Sequence, residues 1–254
     1  MPSHSSWLTL ILAHFRETLS HNAEILGTSL IGGHDATWQS FEPIVAAGFV
    51  AALVIVLALL ARRSLVRDGA YVPDERLTLR TFMEAFLGYF YDLAKASMGA
   101  ERAKKYFPII AGSALFVFFS NVMALLPGMP IATSSLNITF GAALVVFILF
   151  NIYGLMTNGL GYVKHLAGPI WYLAPLIFVI ELISVCVRPI TLAVRLMLNM
   201  AVDHLILGIF LGLVAVIIPI PLMLLGCIIV VIQTLVFALL TTVYIALATE
   251  HEDH

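Results

Sequence analysis

The sequence predicts an all-α polytopic membrane protein of about five membrane helices. The last two are expected as a long tilted hairpin, with interfacial amphipathic helices besides. Composition, hydropathy and the length of the apolar runs carry that expectation. Hydrophobic residues make up 61% of the 254 residues and charged ones 11%, against about 45–50% and a quarter in soluble domains. Mean hydropathy is +1.02. The apolar residues fall in uninterrupted runs, and a crossing needs about 20 of them. So little charge cannot cover a water-facing surface, which excludes a soluble enzyme. A net charge of −2 and a pI near 6.4 exclude a nucleic-acid binder, which requires an excess cationic field.

The whole chain, 1–254, reads as one membrane domain. Residues 1–40 form an N-terminal segment in which Arg16 is the first cation, unlike a secretory signal. Within it Trp7–Leu19 is expected as a short interfacial helix. The first span, 41–61, contains the run Ile44–Ala61 and stops at Arg62 and Arg63. Loop 62–105 holds nine of the thirteen Lys and Arg residues, so the positive-inside rule puts it on the cytoplasmic side. Phe82, Phe86, Tyr89, Phe90, Leu93 and Met98 recur there at helical spacing, predicting a helix that lies in the interface.

The second span, 106–127, ends at Pro127-Gly128, and the third, 137–157, contains Asn151. The fourth segment, 169–218, is unusually long. Roughly 49 residues at 1.5 Å each give about 73 Å of helix, more than twice a hydrocarbon core. It has no polar loop at which to turn, and Pro189 can kink a helix without reversing it. One tilted helix is therefore expected, with a turn at Pro219–Pro221 into the last helix, 222–249. Counting crossings puts the N-terminus outside and the C-terminus inside. Cys186 and Cys227 lie in apolar runs and are expected as buried thiols, not a disulfide.

Glu181, Ser184, Arg188, Thr191, Arg195, Asn199 and Asp203 follow one another in the fourth segment at intervals of three or four. They share an arc of roughly 120° and extend over about 33 Å, making one polar stripe on an apolar cylinder. His204 lies beside its end. Each formal charge in such a position costs a few kcal/mol, so it must face a partner or a water-filled cavity. A salt bridge between helices, or snorkelling, also explains Glu181 and Arg188. Arg195 lies deeper and stays protonated, so it can repel or pair but cannot carry the proton. Asp203 and His204 can titrate. A permanent charge set apart from proton carriers suits ion translocation. Gln233 and Tyr244 share a face of the last helix, where each could equally bond a neighbouring helix. There is no phosphate loop and no metal-ligand spacing. No cofactor or metal is expected, and nucleotide chemistry belongs to another chain.

The run Arg188-Pro-Ile-Thr-Leu-Ala-Val-Arg195-Leu-Met-Leu-Asn199-Met200-Ala-Val-Asp-His204 resembles the signature of subunit a of F-type ATP synthase, the membrane stator subunit. Gln233 through Tyr244-Ile-Ala-Leu-Ala is similar to that family's last helix, and Asn121-Val-Met-Ala-Leu-Leu-Pro127-Gly128 to its second-span ending. The likeness runs from about Phe107 to Ala248. It implies a subunit with no catalytic site, which moves protons through two offset half-channels against a rotating ring of c subunits. Proton-motive force is thereby coupled to ATP synthesis, or hydrolysis to pumping.

By that resemblance Arg195 is the essential arginine facing the ring, and Gln233 the glutamine opposite it. Asn199 and His204 line the outer half-channel, Glu181 is the acid of the inner one, and Arg188 is the base between them. Implied partners are the c-subunit ring, the subunit b peripheral stalk, the other synthase subunits and membrane lipids, with one copy per complex and no nucleic acid. The implied location is a bacterial plasma membrane, with the mitochondrial inner membrane as the alternative.

Two departures matter. Leu198 replaces the usual Gly or Ala, which argues against a close helix approach there. Gly226 stands where an acid or His is usual, and Asp203 follows a position that is usually small, so the carboxylate is expected to have moved from the last helix onto the long helix. The alternative function is a proton-coupled secondary transporter or antiporter-like subunit, but the 181–204 stripe has no second copy as paired repeats would require. A purely structural scaffold has no need of Arg195 beside Asp203 and His204.

Overall fold

The computed structural model describes His14 and residues 42–65, 78–125, 129, 132–159, 174–213 and 219–249. The helices are α1 (Glu42–Leu65), α2 (Leu79–Met98), α3 (Ala100–Leu125), α4 (Leu136–Asn158), α5 (Ala174–Leu213) and α6 (Pro219–Ala248). A single 3-10 turn, Ala132–Ser134, precedes α4. All but α2 are long and apolar enough to cross a membrane, giving five such helices among the described residues. The all-α polytopic expectation holds. Trp7–Leu19 falls outside the described residues except for the helical His14.

Local chemistry explains the helix ends. Helix α1 opens with Glu42 and closes with Arg62 and Arg63, each sign stabilising its end of the helix dipole. Thr78 caps α2 by accepting a bond from the Thr81 N–H at 3.4 Å. Gly99, at φ 82°, ends α2 and donates to the Lys95 carbonyl. That one glycine is the whole connection to α3. Helix α3 therefore starts at Ala100, ahead of the apolar run at Tyr106, because good helix formers occupy its first turns. Gly159, at φ 54°, ends α4 in the same manner.

Helix α5 is continuous for 40 residues through Pro189. Its length of about 60 Å is twice a hydrocarbon core, long enough to cross one with a strong tilt. Helix α6 opens at Pro219. The prolines expected as the hairpin turn thus occupy its first turn, where their missing N–H groups have no helical partner to lose. Residues 214–218, which connect the two helices, lie outside the described residues.

Helix α3 packs most extensively on α6, and α4 on α5, while α2 lies across both α3 and α6. Lipid supplies no hydrophobic drive between helices, so close packing must do so. Ala94, Ala103, Ala143, Ala193 and Ala248 sit in the main core with Tyr106, Phe150, Leu192, Leu196 and Phe237. Small residues there let helix backbones approach. Cys186 and Cys227 are free and exposed, not buried as their apolar context implied. The reason is that apolar faces of such a chain point outward as readily as inward.

Candidate functional site

Two residues of the polar stripe of α5, Arg188 and Asn199, meet α6. Near the C-terminal end of the stripe, the Asn199 Nδ2 donates to the Gln233 Oε1 at 2.7 Å, joining the two helices. Gln233 is 2% exposed, and its Nε2 has no hydrogen-bond partner among the described residues. An open cleft of about 280 Å³ begins at this pair, lined by Leu198, Asn199, Val202, Asp203, Ile229, Ile232 and Gln233. The structure thus brings Asn199, Asp203 and Gln233, two of them on one helix and the third 30 residues further on, to one cavity. The side chain of His204 lies outside the described residues.

Arg195 sits one turn before Asn199 and is exposed. Among the described residues it has no ion-pair or hydrogen-bond partner. A guanidinium in the middle of an apolar helix requires a carboxylate, water or another chain. Leu198, beside it, is 48% exposed. About half of it therefore projects from the surface, while the rest lines the cleft between α5 and α6.

Toward the start of α5 the charges are satisfied internally. The Arg188 Nη2 donates to the Glu181 Oε1 at 3.4 Å, so the two pair with each other across two helical turns. The Arg188 guanidinium also lies over the Tyr244 ring at 5.3 Å, and that ring tilts against Phe150 at 5.9 Å. The structure therefore divides the predicted residues into two groups. Glu181, Arg188 and Tyr244 form one, and Asn199, Asp203 and Gln233 the other. Arg195 stands between them along α5.

Gly226 is buried, and a Cβ there would meet the Leu125 Cδ2 at 2.6 Å. A carboxylate at 226 has no room unless that leucine moves. Sequence spacing marks the stripe but not its partners on α6. It also gives no sign of the ties that Arg102 and Asn158 make to the end of α6, because their partners are backbone carbonyls more than 85 residues away.

Residues 44–246 match the family model described as ATP synthase A chain. ATP synthase subunit a of Sorangium cellulosum is 54% identical over 255 residues, covering 100% of both chains. The subunit a of Sulfurihydrogenibium sp. is 44% identical over 69% of this chain and 84% of its own. That of Bdellovibrio bacteriovorus is 36% identical over 85% and 94%. These matches put the chain with ATP synthase and not with proton-coupled secondary transporters. The bacterial relatives and the five apolar helices make it a multi-pass plasma-membrane protein and a part of the synthase complex. The chain belongs to the ATP synthase subunit a family, the non-catalytic, proton-translocating stator subunits of the membrane complex.

Proposed function

We propose that the α5–α6 face of this chain carries protons to and from a ring of c subunits, with Arg195 as the fixed charge between two half-channels. The observation that carries this reading is the exposed Arg195, unpaired among the described residues, on the polar stripe of a membrane-spanning helix. A desolvated guanidinium of this kind favours an ionised carboxylate brought opposite it, and so promotes release of that carboxylate's proton. Because it never gives up its own proton, it also blocks a direct path between the two sides.

The cleft with Asn199, Asp203 and Gln233 suits the outer half-channel, with His204 adjoining it in sequence. The unpartnered Gln233 Nε2 is a donor available to water or to a passing carboxylate. Asp203, on the cleft wall, is the acid of this half-channel in place of one at position 226. Glu181, Arg188 and Tyr244 form the inner path. The N-terminus then lies outside and the C-terminus in the cytoplasm, with subunit b as a further partner and one copy per complex. Proton entry from outside is driven at about 2.3 kcal/mol per charge per 100 mV.

Arg195→Ala in the assembled complex tests the reading. ATP-driven proton pumping into inverted vesicles is expected to disappear while the subunit stays in the membrane at its normal level. Retained pumping would overturn the proposal.

A further inference from the structure

Helix α6 presents Gln233 and Tyr244 to α5, yet has little of its own to fix how far along its axis it sits. It carries no Asp, Glu, Lys or Arg from Pro219 to Ala248. The hydroxyls of Thr234, Thr241 and Thr242 bond back to carbonyls of α6 itself, at Val230, Phe237 and Ala238. They tie it to nothing else. Apolar packing in lipid fixes an axial position less sharply than a directional hydrogen bond does, because hydrocarbon can replace part of a contact that is lost.

The C-terminal end of α6 is different. Ala248 is 5% exposed and Thr249 fully buried, so the last carbonyls, which a helix leaves unbonded, have no access to water. Two side chains from other helices satisfy them. The Arg102 Nη1 donates to the Thr249 carbonyl at 3.4 Å, while its Nε donates to the Met98 carbonyl at 2.8 Å. The Asn158 Nδ2 donates to the Ala248 carbonyl at 3.3 Å. One guanidinium thus joins the ends of α2 and α6 to the start of α3, and the end of α4 adds a second tie. A cation at a helix C-terminus also interacts favourably with the helix dipole. Beside it, the Tyr106 and Thr157 hydroxyls share a hydrogen bond of 3.0 Å between α3 and α4, which holds the two anchoring helices together.

We infer that Arg102 and Asn158 are positioning residues that clamp the C-terminus of α6, keeping Gln233 level with Asn199 and Tyr244 beneath Arg188. Their functional consequence rests on the proton-path reading above. A shift of one residue along the axis moves Gln233 by about 1.5 Å and turns it by about 100°, enough to break a 2.7 Å bond.

The test uses the complete synthase in inverted vesicles, with Cys186→Ser and Cys227→Ser removing the native thiols. The pair Leu125→Cys and Gly226→Cys, at two positions that adjoin toward the opposite end of α6, reports axial position through disulfide yield. In Arg102→Met with Asn158→Leu, that yield is expected to fall at least about fivefold, because disulfide geometry tolerates little displacement. Protons pumped per ATP hydrolysed are expected to fall by a similar factor. Arg102→Lys keeps a cationic donor but not the fork that reaches both carbonyls, so both measurements are expected to fall between those of the unaltered residue and Arg102→Met. Unchanged disulfide yield in the double variant overturns the clamp. A lowered yield with normal pumping overturns its positioning role. Where the double variant does not accumulate, Arg102→Met and Asn158→Leu singly carry the same measurement, and unchanged yield in both overturns the inference. Disulfide yield is read without proton flow, so the clamp is judged separately from the proton path.

Discussion

Asn199 on α5 and Gln233 on α6 meet side chain to side chain at 2.7 Å, at the head of a cleft that Asp203 also lines. This contact turns two polar residues of separate apolar helices into one unit. Interhelical hydrogen bonds in membranes contribute about 0.6 kcal/mol on average and up to about 1.7. Asn199→Ala and Gln233→Ala should therefore be coupled. In a double-mutant cycle on passive proton conduction, the double variant is expected to fall short of the product of the single losses by about threefold or more. Independent, multiplying losses would contradict the contact.

Asp203 faces the cleft, whereas position 226 faces Leu125. Asp203→Asn is expected to reduce proton conduction by about a hundredfold, the lower end of what a positioned acid–base group supplies. Gly226→Glu added alone should restore less, because the end of the Leu125 side chain must first turn aside. Gly226→Glu together with Leu125→Ala should recover conduction. Vesicle acidification rates check all three, and wild-type conduction in Asp203→Asn would remove Asp203 from the path.

Arg188 is held from two sides, by Glu181 at 3.4 Å and by the Tyr244 ring at 5.3 Å. A cation–π contact supplies about 0.5–2 kcal/mol depending on desolvation. Tyr244→Phe keeps the ring and is expected to leave pumping nearly unchanged. Tyr244→Leu removes it and should lower pumping severalfold. Equal losses in both would point instead to the hydroxyl.

Gly99 connects α2 to α3 at φ 82° and ψ 164°, a region that side chains disfavour by about 1–3 kcal/mol. Nothing crowds its Cβ position, so the effect of Gly99→Ala is conformational and not steric. Its thermal transition in detergent is expected to fall by a few degrees, whereas Gly48→Ala, mid-helix and equally uncrowded, should raise it slightly.

The sequence by itself determined the fold class, the five apolar helices and the stripe from Glu181 to Asp203. Each depends on hydropathy or on helical period, and both are properties of neighbours along the chain. It also singled out Arg195, because a cation within an apolar run is anomalous in any packing. Cys186 and Cys227 mark where such reasoning stops. An apolar context cannot tell a lipid-facing side from a buried one when both environments are hydrocarbon.

Only the tertiary structure decided that Glu181 pairs with Arg188, that Gln233 answers Asn199, and that Leu125 closes off position 226. It alone disclosed Arg102 and Asn158 at the end of α6. Those contacts join residues 34 to 147 positions apart, apart from the Glu181–Arg188 pair. Several end on backbone carbonyls, which look the same at every position of a sequence. Their partners are set by where helices of similar apolar surface come to rest against one another, and hydropathy carries no record of that.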